Sequence, residues 1–435
     1  MKKIIMLSFV ACSFIGNAQT TTPSTPAAPA EKEWDVTMYG FIRTDYIWDT
    51  RKSASVRELN LNLYPNDEAK LADGSDKNDV GQSNFLSVVS RLGTKVKGPN
   101  VWGAKMSGIL EGDFFGNTES SPSSIGMFRL RHAFVNMDWA KSSLTLGQTW
   151  YPNFIPECFP GVANFNTGIL FNPFGWATQA RFKQNLTKQL SIAVTAYKER
   201  EFTTNAATDG TTTATQNSAT INSSIPTFNG HLQFRSKNWL AGVQFEYKSI
   251  QPLTVSNGKM TTEKVTSTSI MGYAKYSNDA FSVKAYGISG GDMSNLVMLG
   301  GYVGYTTGTE VQKFEASKTS SFWLDIASNG KKVAPGLFFG MTNNKGTGHT
   351  LAAGETAFYY MRGTNLPTAP TRVIDKVIRI SGRIDFKQNK FRVSPELEYT
   401  SAVWGDLNTN GNGKADANQV TVGNMRAMVS CVYTF

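Results

Sequence analysis

Apolar residues recur at every second position in most segments of this chain. Residues 376–387 show the pattern clearly, because one face carries Ile378, Ile380, Ile384 and Phe386 and the other carries Arg379, Ser381, Arg383 and Asp385. Successive side chains of a β-strand point to opposite faces, whereas a helical face repeats about every 3.6 residues. The alternation therefore predicts β-strands that separate an apolar environment from a charged one.

The connections between these strands alternate in length. Short turns are predicted at residues 97–100, 140–142, 186–189, 236–238, 277–279 and 388–390. Long polar stretches lie between them, at residues 49–84, 115–126, 151–175, 201–225, 250–265 and 405–422. Short turns on one rim and long loops on the other are typical of transmembrane β-barrels. The predicted fold is an all-β, antiparallel transmembrane barrel with short periplasmic turns and long extracellular loops.

Composition separates this fold from its alternatives. Hydrophobic residues make up 40% of the chain and charged residues 17%, without the runs of about 20 apolar residues that membrane helices need. A large soluble β-sandwich or propeller also alternates, but here the polar face carries full charges and no repeat of propeller-blade length is present. Aromatic residues near the ends of the apolar faces favour an interfacial girdle, namely Tyr46, Trp48, Trp239, Tyr399 and Tyr433.

The number of strands follows from counting these segments. About 18 segments qualify, and bacterial single-chain barrels have even strand numbers. Residues 297–306 and 356–363 are ambiguous, because each can belong to a long loop or an internal plug. We therefore predict 16 strands, with 14 and 18 as alternatives. A barrel of this size encloses a water-filled channel.

The two ends of the chain indicate its location. Lys2 and Lys3 precede an apolar run and a small-residue exit at 16–18, which predicts a secretory signal peptide over residues 1–18. A lipoprotein signal using Cys12 is the alternative. Residues 19–35 form a Thr/Pro/Ala-rich linker that we expect to be disordered, and the barrel is assigned to residues 36–435. The terminal aromatic Phe435 is typical of barrels inserted into Gram-negative outer membranes, so the expected surroundings are outer-membrane lipid and lipopolysaccharide.

If the apolar face meets lipid, the charged face lines a pore. The predicted pore-lining residues are Arg91, Lys95, Glu111, Asp113, Arg129, Arg131, Arg181, Arg379, Arg383, Arg392, Glu396 and Glu398. The chain has 43 Lys and Arg against 33 Asp and Glu, and basic rings favour anions. The alternative is that opposite charges pair across the lumen and only keep the wall hydrated. His132 falls in the lipid-facing register, which predicts an interface or rim position.

Residues 151–176 form the most unusual loop, because they are aromatic, apolar and rich in proline. An exposed loop of this kind would aggregate. We therefore expect it either to fold into the lumen as a constriction loop or to pack at a subunit interface. The constriction residues predicted are Phe154, Phe159, Phe165 and Phe171.

Several short motifs resemble the DcaP-type porins. They are Arg129 to Val135 (RLRHAFV), Leu146 to Trp150 (LGQTW), Ser90 to Gly93 (SRLG) and Glu111 to Gly116 (EGDFFG). The resemblance covers roughly residues 85–182 and implies a 16-stranded homotrimer that admits small anionic solutes, with Arg129, Arg131 and Arg91 lining the channel. A Pro-rich linker stands where such porins can carry a coiled-coil extension. The export signal resembles those of Bacteroidetes-type bacteria.

Other signals remain weak. Asp406, Asn408 and Asn410 resemble the start of a calcium loop, but the twelfth position is Ala417 rather than a bidentate Glu. The three His residues have no Cys or carboxylate at ligand spacing, so neither a metal nor another cofactor is predicted. No nucleophile motif supports an outer-membrane hydrolase, and no compact basic patch supports nucleic-acid binding. The sequence thus predicts a passive diffusion porin, with a plugged docking barrel as the alternative.

Overall fold

The computed structural model describes residues 34–116, 126–208, 217–367 and 369–435. The predicted signal peptide and nearly all of the predicted linker lie outside these residues. The strands are β1 (Asp35–Asp49), β2 (Ser53–Val56), β3 (Leu61–Pro65), β4 (Gln82–Leu86), β5 (Arg91–Val101), β6 (Ala104–Asp113), β7 (Arg129–Asp138), β8 (Ser142–Trp150), β9 (Trp176–Asn185), β10 (Leu190–Glu199), β11 (Thr227–Arg235), β12 (Trp239–Ile250), β13 (Val255–Ser256), β14 (Lys259–Met260), β15 (Val265–Ser277), β16 (Phe281–Gly291), β17 (Gly300–Thr307), β18 (Lys313–Ser328), β19 (Val333–Gly346), β20 (Glu355–Arg362), β21 (Arg372–Gln388), β22 (Phe391–Leu407) and β23 (Ala415–Thr434). A short helix, α1 (Ser218–Asn222), and a 3₁₀ turn at Ser294–Leu296 complete the secondary structure of the described residues. None of the helices in this part of the chain is long and apolar enough to cross a membrane.

Antiparallel pairing closes the sheet into a barrel. Strand β1 pairs with the last strand, β23, on one side and with β4 and β5 on the other. Since β4 and β5 together act as one interrupted strand, the circuit has 16 strands, as predicted. The ambiguous segments are resolved as loop strands: β17 and β20 pair with each other, and β17 also pairs with the extension of β18 beyond the wall.

Strand faces follow the predicted alternation. In β1, Ile42, Tyr46 and Trp48 are exposed on the outside, whereas Arg43 and Asp45 are buried inside. The wall therefore places apolar side chains toward lipid and charged ones toward the interior. This confirms the predicted transmembrane β-barrel.

Two predicted connections differ from the structure. The turn expected at 97–100 lies instead at Trp102 and Gly103, because β5 continues to Val101. The loop expected at 405–422 is only 408–414, since β23 begins at Ala415. The first part of β23 projects beyond the wall and is mostly exposed, so its side chains lack the apolar–polar contrast that a membrane imposes.

Three loops fill much of the barrel interior. We call them L1 (50–81), L3 (151–175) and L6 (292–312). Leu61 of L1, Ile169 of L3 and Val297 of L6 are completely buried and belong to one hydrophobic cluster. The predicted long stretch 49–84 thus contains an inward hairpin, β2–β3, that its overall polarity concealed.

Candidate pore interior

Strand β7 contains a β-bulge that redirects its side chains. Glu111 of β6 pairs with His132 and Gly112 pairs with Leu130, so Arg131 is the extra residue. The predicted lipid-facing position of His132 is wrong: its side chain is buried, with Nε2 3.8 Å from Oε1 of Glu111. An extra residue shifts the phase of the strand, which places both Arg131 and His132 inside.

At the bulge, two backbone carbonyl groups of β7 accept hydrogen bonds from the side-chain amide of Gln148 on β8. Its Nε2 donates hydrogen bonds to the carbonyl oxygens of Leu130 at 3.0 Å and Arg131 at 3.2 Å. Gln148 lies on the outward face beside Leu146, a position where lipid offers no hydrogen-bond donors. This contact explains why a polar residue is placed on that face.

Inside the wall, the predicted pore residues of β5, β6 and β7 form an ion-pair network. Arg131 donates from Nε to Glu111 at 2.9 Å and from Nη1 to Asp113 at 3.0 Å. Arg129 Nε lies 2.7 Å from Asp113, and Arg91 Nε lies 3.5 Å from Glu111. The guanidinium of Arg131 also stacks 4.3 Å from the Trp176 ring centroid. These charges compensate one another within this part of the wall.

The opposite wall is paired in the same way. Arg379 Nε lies 3.3 Å from Oε1 of Glu398, and Arg383 Nη1 lies 3.0 Å from Oδ2 of Asp325. Asp325 was missed in the sequence, although it alternates with the apolar residues of β18 and could have been found from that pattern. Glu396 differs, because backbone N–H groups of L3 donate to it, from Ala163 at 2.7 Å and from Asn164 at 3.3 Å.

Loop L3 crosses the interior and is fixed to several strands of the wall. Its carbonyl groups accept hydrogen bonds from Arg43 at Ala163 (2.7 Å) and from Lys284 at Phe159 (2.9 Å). The amide of Gly161 donates to Asp325 at 3.1 Å. These contacts hold L3 against charged residues on the inner face of the wall.

The four predicted constriction phenylalanines divide into two groups. Phe165 and Phe171 are buried in the apolar cluster, where Phe165 packs 5.3 Å from Phe115 and Phe171 packs 6.1 Å from Phe338. Phe154 stacks between Trp150 and Phe159, at centroid distances of 4.1 Å and 5.6 Å. Of Phe154 and Phe159, Phe154 also lines an internal cavity.

This cavity, of about 330 Å³, lies between L3 and the inner faces of β9, β10 and β11. It is lined by Arg181, Lys183, His231, Arg235 and Glu157, together with apolar residues of L3. Arg235 pairs with Glu157 at 2.7 Å, and Nε2 of His231 lies 2.9 Å from the hydroxyl of Tyr273. Among the described residues, no carboxylate lies within ion-pair distance of Arg181 or Lys183. The cavity thus presents two uncompensated cations.

The remaining predicted residues lie elsewhere. Lys95 is positioned 5.0 Å from the ring centroid of Tyr39, and Arg392 is half-buried on the inner face of β22. In the calcium candidate, both carboxylate oxygens of Asp406 are engaged, by Arg372 and Asn418 at 2.6 Å each. Within the described ranges, no three His, Cys, Asp or Glu side chains are grouped to hold a metal ion.

A closed barrel with an apolar exterior, a charged interior and a loop folded into the lumen defines a transmembrane β-barrel of the porin type. Barrels of this type belong to Gram-negative outer membranes, which agrees with the predicted location.

Comparison with solved structures supports this fold. The outer membrane channel DcaP of Acinetobacter baumannii superposes with a TM-score of 0.59 at 14% identity, over 93% of this chain and 99% of that one. An anion-selective porin from Comamonas acidovorans has a TM-score of 0.51 at 14% identity, over 93% and 100% of the two chains. OmpT of Vibrio cholerae, an outer-membrane protein, has a TM-score of 0.51 at 10% identity, over 94% and 99%. No protein-family profile matches the sequence, and no curated protein does.

Proposed function

We propose that the chain is a passive diffusion porin of the outer membrane that admits small hydrophilic, mainly anionic solutes. The observation that carries the anion preference is the pair Arg181 and Lys183, whose cations face an internal cavity without a carboxylate partner among the described residues. Most of the other predicted pore-lining charges have an ion-pair partner. We therefore expect Arg181 and Lys183 to make the electrostatic potential of this cavity positive. Basic residues that line a pore favour anions over cations.

Reversal potentials across a planar bilayer test this preference. In a KCl gradient we expect the wild-type channel to prefer Cl⁻, and we expect the double variant Arg181→Gln/Lys183→Gln to lose most of that preference. Lys188→Gln/Lys237→Gln is the matched control, because it removes the same charge from exposed turns below the same strands. Cation selectivity of the wild type, or equal selectivity of all three proteins, contradicts the proposal.

A second function is supported by the packing inside the barrel. The apolar cluster formed by L1, L3 and L6 resembles a plug more than the rim of an open pore. In that case the chain is a docking barrel that binds partners through its long loops. Bilayer insertion of folded protein without conductance supports this alternative.

The remaining parts of the proposal concern assembly and relatives. We propose a homotrimer of the DcaP type, supported by the fold and by the motifs around Arg129 and Trp150. A diffusion channel requires no catalytic residue and no cofactor, and we assign neither. The Bacteroidetes-type origin suggested by the export signal stays a prediction.

A further inference from the structure

Three lysines lie on the outward face of the barrel at the rim that carries the long loops. They are Lys318 on β18, Lys345 on β19 and Lys376 on β21, three strands that are neighbours in the wall. Lys318 and Lys345 are exposed, and Lys376 is half-buried. We call this set the rim lysines.

The register fixes the positions of the rim lysines relative to one another. Lys318 pairs with Gly346 and Thr319 with Asn344, which leaves Lys345 as the extra residue of a bulge between them. On the other side of β19, Asn343 pairs with Lys376. Lys318 and Lys376 are thus offset by three residues of β19. With neighbouring strands about 4.8 Å apart and a rise of about 3.3 Å per residue, the three backbone positions lie within roughly 15 Å of one another.

Below the rim lysines the outward face changes from the polar Ser320 and Asn343 to apolar residues. Phe322 and Ile326 follow Lys318 on β18, and Ile380 follows Lys376 on β21, all of them exposed on the outside. From Lys318 to the short turn after Ser328 is about the length of a tilted membrane-spanning strand. The rim lysines therefore lie where the hydrocarbon region ends on the long-loop side.

The ammonium groups of the rim lysines are uncompensated. No carboxylate of the described residues lies within ion-pair distance of any of them, whereas Lys259 in a nearby loop is paired with Glu310. Two acidic residues lie close to the rim lysines along the chain, Asp375 next to Lys376 and Glu315 three residues before Lys318. The Glu315 carboxylate already accepts a hydrogen bond of 2.6 Å from the amide of Gly348.

A groove of about 560 Å³ lies beside Lys318 on the outer surface of β15, β16 and β18. Its lining includes Thr266, Thr268 and Ser289, which carry hydroxyl groups, and the acidic Glu315, while Gly290 and Gly291 contribute no side chain to fill it. The groove thus places hydroxyl groups next to a cation, immediately above the apolar band.

We propose that this face binds a phosphorylated glycolipid of the outer leaflet. The rim lysines bind the phosphate groups, the hydroxyl groups of the groove contact the sugar, and the apolar band below packs against the acyl chains. A row of cations at a membrane surface attracts anionic lipid headgroups in this way. The inference rests on the proposed outer-membrane location but not on channel activity.

Lipid binding by the purified, folded protein tests the inference. The protein in detergent is titrated with bisphosphorylated lipid A and, separately, with lipid A from which both phosphates have been removed, and binding is followed by native mass spectrometry. We expect the wild type to bind the phosphorylated form at least about 10-fold more tightly, which corresponds to about 1.4 kcal/mol. The triple variant Lys318→Gln/Lys345→Gln/Lys376→Gln should lose this discrimination.

The control is the triple variant Lys331→Gln/Lys332→Gln/Lys390→Gln, which removes equal charge from exposed turns at the opposite ends of the same strands. It should bind like the wild type. Equal binding of both lipids by the wild type, or unchanged discrimination in the rim variant, overturns the inference. A changed oligomeric state of the rim variant also overturns it, because the face would then be a contact between copies of the chain. If the wild type discriminates between the two lipids but gives no conductance in a planar bilayer, the channel proposal is refuted and the lipid-binding inference stands.

Discussion

Most of the charged residues described inside this barrel are stabilised by an opposite charge or by several hydrogen bonds. Arg426 and Asp49 illustrate the first arrangement, since both are buried and their side chains lie 2.7 Å apart. Glu396 illustrates the second, because its carboxylate holds two backbone amides of L3. Leaving such buried groups without partners costs more than the net gain from forming the bonds.

Glu396→Ala should therefore loosen L3. The amides of Ala163 and Asn164 lose their acceptor, and we expect the free energy of unfolding to fall by about 1–3 kcal/mol. Urea denaturation of the refolded barrel measures this change. Glu157→Ala on the same loop is the control, because that carboxylate is half-exposed and its pairing with Arg235 contributes at most about 1 kcal/mol. Equal losses in the two variants would refute the role assigned to Glu396.

Cys158 offers a second test at this scale. Burial raises the pKa of its thiol to about 12, so at pH 8 the group is protonated and the nucleophilic thiolate is scarce. In a Cys431→Ser variant without residues 1–18, we expect Cys158 to remain unlabelled by a maleimide at pH 8 in the folded barrel and to react fully after unfolding. Rapid labelling of the folded protein would show that L3 leaves the lumen.

Among the structural elements, the bulge in β7 controls which residues enter the interior. Gln148→Leu removes the donor to the carbonyl groups of Leu130 and Arg131 on the lipid side, and we expect a loss of about 1–3 kcal/mol in unfolding free energy. Gln184→Leu is the matched control: Gln184 also faces outward, but its Nε2 makes only one hydrogen bond, of 3.4 Å, to the carbonyl of Asn185. Chemical denaturation in lipid vesicles compares the two. A larger loss in the control contradicts the assigned role.

Loop L3 is the element that decides how open the lumen is. Replacing residues 154–165 with a short Gly-Ser linker removes the stacked Phe154 and Phe159, and we expect single-channel conductance to rise several-fold. The same linker in place of residues 255–260, which form the β13–β14 hairpin outside the lumen, should leave conductance unchanged. If the L3 variant conducts like the wild type, L3 does not limit the pore.

The elements also show how far the sequence predicts the fold. Alternation identified the wall strands and their faces because lipid and water impose opposite requirements on the two sides. It did not locate the bulge at Arg131, because one extra residue changes the phase without changing composition. It also passed over the L1 hairpin, although Leu61 and Leu63 alternate, because a short inward hairpin inside a polar stretch gives too few repeats. The ion pair between Arg383 and Asp325 could not be predicted, because the two residues lie on different strands. The alternation within one strand does not show which other strands lie near it.

At the scale of the whole molecule, the barrel interior combines two features, charged residues on the wall and apolar residues on the loops. The wall carries many paired charges, and among the described residues Arg181 and Lys183 face an internal cavity without a carboxylate partner. The loops L1, L3 and L6 contribute to an apolar cluster of buried residues. A narrow, anion-attracting channel satisfies both features, whereas a plugged barrel would gain nothing from unpaired cations in an internal cavity.

Planar-bilayer recording of the protein without residues 1–18 tests this account most directly. We predict stepwise conductance, in groups of three equal steps for a trimer, and a reversal potential in a KCl gradient that shows preference for Cl⁻. Protein that is folded and inserted but gives no steps, or steps with preference for K⁺, contradicts the account.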